Sequence, residues 1–271
     1  MVKYTVKSGD TLRGIALKFY GDAEKFVVIQ EANDITNPSL ISVGQVLEIP
    51  DIDGDDSNNP LADFHRAFNN GVRWRLTTNG VEIEGSGIER TSGSPTTVTK
   101  IWTNFHDDIN QWSQHFQVPA VIIIATIATE SSGKVDAIRK EPCYVSDSTT
   151  PGCISVGLMQ TLISTARGTL HDNTIDRDDL KKSNISLKAG TSFIADQRSK
   201  TLLDPPKVAC AYNAGSLIEN KNSGNRWRMR QFPIGTSKHC DRFVQFFNDA
   251  VFVLTSTSLP VSVDYKDFYN L

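Results

Sequence analysis

The sequence predicts an α+β chain in two parts. A small strand–helix–helix–strand module occupies residues 1–50, and a larger, mostly helical body with a small hairpin occupies residues 61–271. Three observations carry this. Residues 51–60 (Asp-Ile-Asp-Gly-Asp-Asp-Ser-Asn-Asn-Pro) are acidic, polar and rich in chain breakers, with little to bury, and read as a linker. Ahead of them, two alternating runs flank two apolar patterns of helical period; behind them, helical periodicity dominates from Ile101 onward.

In the module, residues 2–7 alternate as a short strand. Ser8-Gly9-Asp10 supplies a turn, and Asp10 is placed to cap a helix through Leu12, Ile15, Ala16 and Phe19. Gly21-Asp22 breaks that helix, and a second carries Phe26, Val27, Ile29 and Gln30 to about Asn33. Asn37-Pro38 makes another turn before Gln45-Val46-Leu47-Glu48-Ile49 ends the module as a strand. Tyr4-Thr5-Val6-Lys7-Ser8-Gly9-Asp10-Thr11-Leu12, then Ile15-Ala16, Asn33 and Ile41-x-Val43-Gly44-Gln45-x-Leu47-x-Ile49-Pro50, together resemble a LysM module. That resemblance implies binding of N-acetylglucosamine-containing glycans such as peptidoglycan or chitin, in a groove between residues 9–12 and residues 36–41. It assigns the glycan to Gly9, Asp10, Thr11, Leu12, Asn37 and Ile41, with backbone amides bonding acetamido groups and Leu12 and Ile41 supporting a sugar face. Docking to protein, as in phage tail assemblies, is the alternative role of such a module.

The body opens on amphipathic residues 61–70. Two alternating runs across residues 72–84 then flank Asn79-Gly80, a strong hairpin signal. Residues 85–97, rich in Gly, Ser and Thr, are expected to be irregular, and residues 61–103 as a whole form an unassigned N-terminal extension. Residues 118–129 (Val-Pro-Ala-Val-Ile-Ile-Ile-Ala-Thr-Ile-Ala-Thr) are apolar on every side, the pattern of a buried helix. Glu130 ends it. A carboxyl at the rim of such a helix loses solvation, which raises its pKa and suits it to donate a proton near neutrality. Ser131-Ser132-Gly133 follows as a helix exit.

Two later segments complete a constellation. Residues 155–160 (Ser-Val-Gly-Leu-Met-Gln) are expected to open a helix with Leu158, Leu162 and Ala166 on one face. Asp204-Pro205-Pro206 starts another helix, which runs to Tyr212-Asn213-Ala214 and closes at Gly215. Glu130-Ser131, Gly157-Leu158-Met159-Gln160 and Ala211-Tyr212-Asn213-Ala214-Gly215, in that order, resemble the soluble lytic transglycosylase family, related to goose-type lysozyme. The likeness runs from about Asn104 to Val253 and implies a lysozyme-like fold. It implies Glu130 as the single catalytic acid/base and Ser131 as a group orienting sugar. Met159 and Gln160 would line the cleft, Tyr212 would hold the Glu130 carboxyl, and Asn213 would meet an acetamido group or support the loop. The expected reaction cleaves the MurNAc–GlcNAc β-1,4 bond of peptidoglycan with formation of 1,6-anhydroMurNAc, and requires no cofactor or metal.

Departures from the family pattern define the competing readings. The stretch between Glu130 and Gly157 is long, and the residues after Gln160 lack the proline often found there. Asp136, Glu141 or Asp147 in that stretch would supply the second carboxylate of a hydrolytic muramidase or chitinase. The basic, aromatic segment at residues 225–232 is either a cleft border meeting an acidic peptide stem or a solvated loop anchored by Trp227 and Phe232. The third reading is a component of a phage tail or contractile injection assembly whose enzymatic activity is secondary.

Composition narrows the partners. With a net charge of −3 nothing argues for nucleic acid as the partner, and no apolar run approaches the roughly 20 residues needed to insert in a membrane. Met1-Val2-Lys3 leads straight into patterned sequence, so the expectation is action on the cell wall, in the periplasm or outside the cell, after delivery by lysis, a phage particle or a secretion machine, as for an endolysin. Four cysteines allow three full pairings. Cys143 and Cys153 flank a short polar loop and are the favoured pair, with Cys210 and Cys240 left open.

Overall fold

The computed structural model describes residues 2–7, 9–20, 23–35, 37–38, 40–50 and 59–271. Ser8, Gly21-Asp22, Thr36 and most of the expected linker lie outside them. The chain divides into two units, the first ending at residue 56 and the second starting at residue 57.

In the first unit, β1 (Val2–Thr5) pairs antiparallel with β2 (Val46–Ile49), and α1 (Leu12–Tyr20) and α2 (Phe26–Ala32) lie between them in sequence. Leu12, Ile15, Ala16, Ile29, Leu47 and Ile49 make the core with Val6. Asn33 locks α2 to β2: its amide donates to the Ile29 and Glu48 carbonyls (2.8 and 2.6 Å) and its oxygen accepts from Glu48 N–H (2.7 Å). The expected cap of α1 needs correction. Thr11 Oγ1 takes the Gly14 N–H at 3.0 Å, whereas the Asp10 carboxylate turns back to accept from Lys7 N–H (2.7 Å) and the Tyr4 hydroxyl (2.8 Å).

The second unit is built around one buried helix. Residues 61–70 form turns rather than a helix, with His65 bridged to Trp74. The hairpin of β3 (Trp74–Thr77) and β4 (Gly80–Ile83) pairs Thr77 with Gly80, and β5 (Gly87–Ile88) adds a short third strand where the sequence led us to expect irregular chain. The amphipathic α3 (Thr96–Phe116) turns Val98, Ile101, Trp102, Ile109 and Trp112 inward. It packs on α4 (Ala120–Glu130), in which every residue from Ala120 to Thr129 is buried. The two threonines of α4 satisfy their hydroxyls on the helix itself, Thr126 on Ile122 O (2.8 Å) and Thr129 on Ala125 O (2.7 Å), so this helix can be buried on all sides.

A second three-stranded antiparallel sheet follows: β6 (Ile138–Lys140), β7 (Ile154–Val156) and β8 (Thr161–Leu162). The rest is helical: α5 (Ile163–Leu170), α6 (Arg177–Leu180), α7 (Ser183–Asp196), α8 (Arg198–Thr201), α9 (Pro205–Ala214), α10 (Lys238–Thr255) and α11 (Tyr265–Tyr269). Contacts of α10 with both α4 and α9 bring the ends of these three helices together around Glu130.

Candidate active site

Glu130 is the last residue of α4, and its side chain is 18% exposed. It opens into a cleft of about 600 Å³ whose walls include Gln160, Thr161, Tyr212, Asn213 and Phe232. Burial pushes its carboxyl from the ordinary 4.5 up to about 7, against the opposing charges of Arg242 and Arg139. The Arg242 guanidinium donates to the Ala128 carbonyl and to Ser132 Oγ, both at 3.2 Å, so it caps the end of α4. Facing the carboxyl from α10, His239 brings Nε2 to 3.6 Å from Oε1. Burial and the Arg242 charge hold the imidazole down at about 4, so the ring is neutral near neutral pH and the pair is a contact, not a salt bridge.

The wall beside Glu130 differs from the helix expected there. Residues 154–162 form the β7–β8 hairpin, with Ser155 opposite Leu162 and Val156 opposite Thr161, and the helix begins only at Ile163. Gly157 enables the turn: it sits at φ +81°, and a Cβ there would lie 2.0 Å from the Leu180 carbonyl oxygen. Beyond it Leu158 and Met159 point inward, both 0% exposed. Met159 lies so close over Gly190 of α7 that a Cβ there would come within 2.6 Å of its sulfur. Its side chain therefore does not line the cleft, contrary to expectation.

Ser131 also departs from its expected role. It is buried, its Oγ donates to the Leu158 carbonyl at 2.7 Å and accepts from Gly133 N–H at 3.2 Å, and it ties the end of α4 to the hairpin instead of facing sugar. Gln160 borders the cleft, but its amide donates to the Ala137 and Gly157 carbonyls (2.9 and 3.0 Å) and its oxygen accepts from Ser155 Oγ (3.1 Å). Its donors are thus occupied by the protein.

Tyr212 does not bond the Glu130 carboxyl. Its hydroxyl donates to the Met159 carbonyl at 2.7 Å, and Thr161 Oγ1, at 3.1 Å, must then donate to it, since the phenol has one proton. Burial, with Glu130 nearby, pushes the phenol above its usual range and keeps it a donor. Tyr212→Phe is accordingly expected to lower stability by about 1–2 kcal/mol in urea denaturation, because the Met159 carbonyl loses its partner. Asn213 takes the loop-supporting one of its two expected roles: Oδ1 accepts from Phe232 N–H at 2.6 Å, fixing Phe232 at the cleft mouth.

The comparisons with known proteins agree with this geometry. Residues 107–231, which contain Glu130, the β7–β8 hairpin and Tyr212-Asn213, match the family model of the transglycosylase SLT domain, and residues 4–50 match that of the LysM domain. The body carries a transglycosylase SLT domain. Three similar proteins each share a short stretch with this chain. An esterase of Mycobacterium tuberculosis is 51% identical over 49 residues, 18% of this chain and 11% of its own length. An uncharacterized protein of Deinococcus radiodurans is 51% identical over 47 residues, 17% of this chain and 19% of its own. A potassium-binding protein of Escherichia coli is 50% identical over 50 residues, 18% of this chain and 34% of its own. The chain thus spans about a third or less of the length of these relatives.

Around the SLT cleft, Glu141 is the one of the three candidate second carboxylates that lines it, paired with Arg139 at 3.0 Å. Asp147 faces a separate depression, where it accepts from Arg177 (2.7 Å) and the Tyr144 hydroxyl (2.9 Å). Asp136 is not among the cleft residues. Cys143 and Cys153 form a disulfide, with Cα atoms 5.7 Å apart, in the cleft wall between β6 and β7, while Cys210 and Cys240 are free, buried thiols. Residues 225–232 are mostly structural: Trp227 and Met229 are buried, and Arg226 pairs with Glu89 and Asp241 (both 2.7 Å). Only Phe232 reaches the cleft. Among the described residues, no group of three or more His, Cys, Asp or Glu side chains is placed to hold a metal, and no helix is long and apolar enough to cross a membrane.

Of the LysM positions, Leu12 is 1% exposed and belongs to the core, so its side chain offers no face to a sugar. Gly9 and Asn37 are exposed, Ile41 is half-buried, and the side-chain acceptors of Asp10 and Thr11 serve local turns. Leu40 and Val43, 74% and 70% exposed, are apolar surface that the sequence reading did not assign to the glycan. It also missed His239 and Arg242, whose place in an ordinary amphipathic helix gives no signal of what they face.

Proposed function

We propose that the SLT domain is a lytic transglycosylase that cleaves the MurNAc–GlcNAc β-1,4 bond and closes a 1,6-anhydro ring on MurNAc, and that the LysM domain holds the glycan strand. The observation that carries this reading is the cleft carboxyl of Glu130, whose burial keeps it protonated to about pH 7. In the first step Glu130 gives its proton to the leaving oxygen as the MurNAc acetamido oxygen bonds C1 and the glycosidic bond breaks. In the second, the Glu130 carboxylate takes the C6 hydroxyl proton, O6 bonds C1, and the acetamido oxygen departs. Glu130 ends protonated, as it began. Holding O6 beside C1 supplies the proximity advantage that lets ring closure outrun attack by water.

The test is mass spectrometry of muropeptides released from purified sacculi. Ends in 1,6-anhydroMurNAc support the proposal. Reducing ends would instead favour a muramidase using Glu141, the second carboxyl in the same cleft. The acid form starts the reaction, so kcat/KM is expected to hold level below pH 7 and to fall about tenfold per unit above it, read from dye release across pH 5 to 9.

A further inference from the structure

Several side chains face Glu130: Arg242 and His239 from α10, Arg139 from β6 and Tyr212 from α9. The two arginines act on it through charge, and Tyr212 is committed to the Met159 carbonyl. His239 brings Nε2 to 3.6 Å from a carboxyl oxygen and carries no charge of its own near neutral pH. It lies in the first turn of α10, its side chain is 12% exposed, and its ring bonds the Ala209 carbonyl of α9. The imidazole is therefore held between two helices with Nε2 against Oε1.

We propose that His239 is a positioning residue for Glu130: its imidazole walls Oε1 off from water and turns the other carboxyl oxygen to the cleft. This rests on the reading of Glu130 as the acid. The choice of side chain follows from the chemistry. A cation here would stabilise the carboxylate and make Glu130 a poor proton donor, and a small side chain would admit water with the same result. A neutral ring does neither.

The experiment compares full-length wild type with His239→Ala and His239→Gln on purified sacculi across pH 5 to 9, with thermal melts to confirm folding. His239→Ala is expected to lower kcat about tenfold with little change in KM and to move the alkaline limb down by about one pH unit as water reaches the carboxyl. The neutral, hydrogen-bonding His239→Gln is expected to restore most of the limb. A second measurement needs no stable His239 variant. In wild type the His239 imidazole ¹⁵N resonances should shift with a midpoint near the Glu130 value of about 7, and in Glu130→Gln they should stay flat. A limb in His239→Ala that coincides with wild type, or imidazole resonances blind to the Glu130 titration, overturns the proposal. Muropeptide release by Glu130→Gln would overturn the function reading instead, and the resonance coupling would still be read independently.

Discussion

Glu130→Gln is expected to lower muropeptide release from sacculi by about 10³-fold or more, because the same carboxyl serves as acid in the first step and base in the second. The variant is also expected to be the more stable protein above neutral pH. The sign follows from the raised pKa. Below 4.5 the group is neutral in both folded and unfolded chains; between 4.5 and about 7 the unfolded chain loses its proton while the folded one keeps it. Wild type therefore loses stability as pH rises through that window, by up to about 3 kcal/mol for the full shift. Gln has no proton to lose. Urea denaturation at pH 5 and pH 8 checks this: the variant should gain on wild type only at the higher pH. Equal stability at both would mean that the carboxyl is better solvated than its burial implies, and would weaken the case for it as an acid.

What could be read from sequence follows the range of the physics involved. The burial of α4 was legible because a helix apolar on every side has nowhere to go but the interior, and the carboxyl at its rim then follows. The β3–β4 hairpin was legible from Asn79-Gly80, and the closing of α9 from Gly215, which takes φ +80°. The hairpin beside the cleft was not. Leu158, Leu162 and Ala166 have helical spacing, but Gly157 at φ +81° and the inward turn of Met159 onto Gly190 depend on α6 and α7, which the local pattern does not contain. Ser131 and Tyr212 were singled out, yet their partners are the carbonyls of Leu158 and Met159, and a backbone oxygen has no signature in sequence. His239 was invisible for the same reason: its proximity to Glu130 exists only once α10 lies along α4. Residues 61–103 matched no motif because their part is played by single long-range contacts.

The most consequential of those contacts centres on Asp204, and Asp204→Ala is expected to destabilise the SLT domain by about 3–5 kcal/mol. Asp204 is 0% exposed and sits immediately before α9. Its carboxylate accepts from Trp74 Nε1 (2.8 Å), His65 Nε2 (2.9 Å) and Lys207 Nζ (3.1 Å). The other ring nitrogen of His65 bonds the Asp63 carbonyl at 2.8 Å. A carboxylate and a carbonyl can only accept, so both nitrogens carry protons and His65 is an imidazolium. Removing the carboxylate would leave two cations and an indole N–H facing each other in the interior. Burial alone would raise Asp204 and lower His65, but their mutual bond and the Lys207 charge on Asp204 reverse both, leaving Asp204 below the ordinary 3.8 and His65 above the ordinary 6.5. The His65 contribution is complete below 6.5 and is lost as pH rises through its folded value; that of Asp204 is present above 3.8 and is lost as pH falls through its folded value. The gap between wild type and Asp204→Ala in urea denaturation should therefore be widest between about pH 4 and 6.5 and narrow on either side. The cluster holds the start of the helix that ends in Tyr212 and Asn213, so lost activity should track lost folding while the Glu130 limb of the surviving protein stays in place. A shifted limb would mean instead that residues 61–103 tune the acid directly.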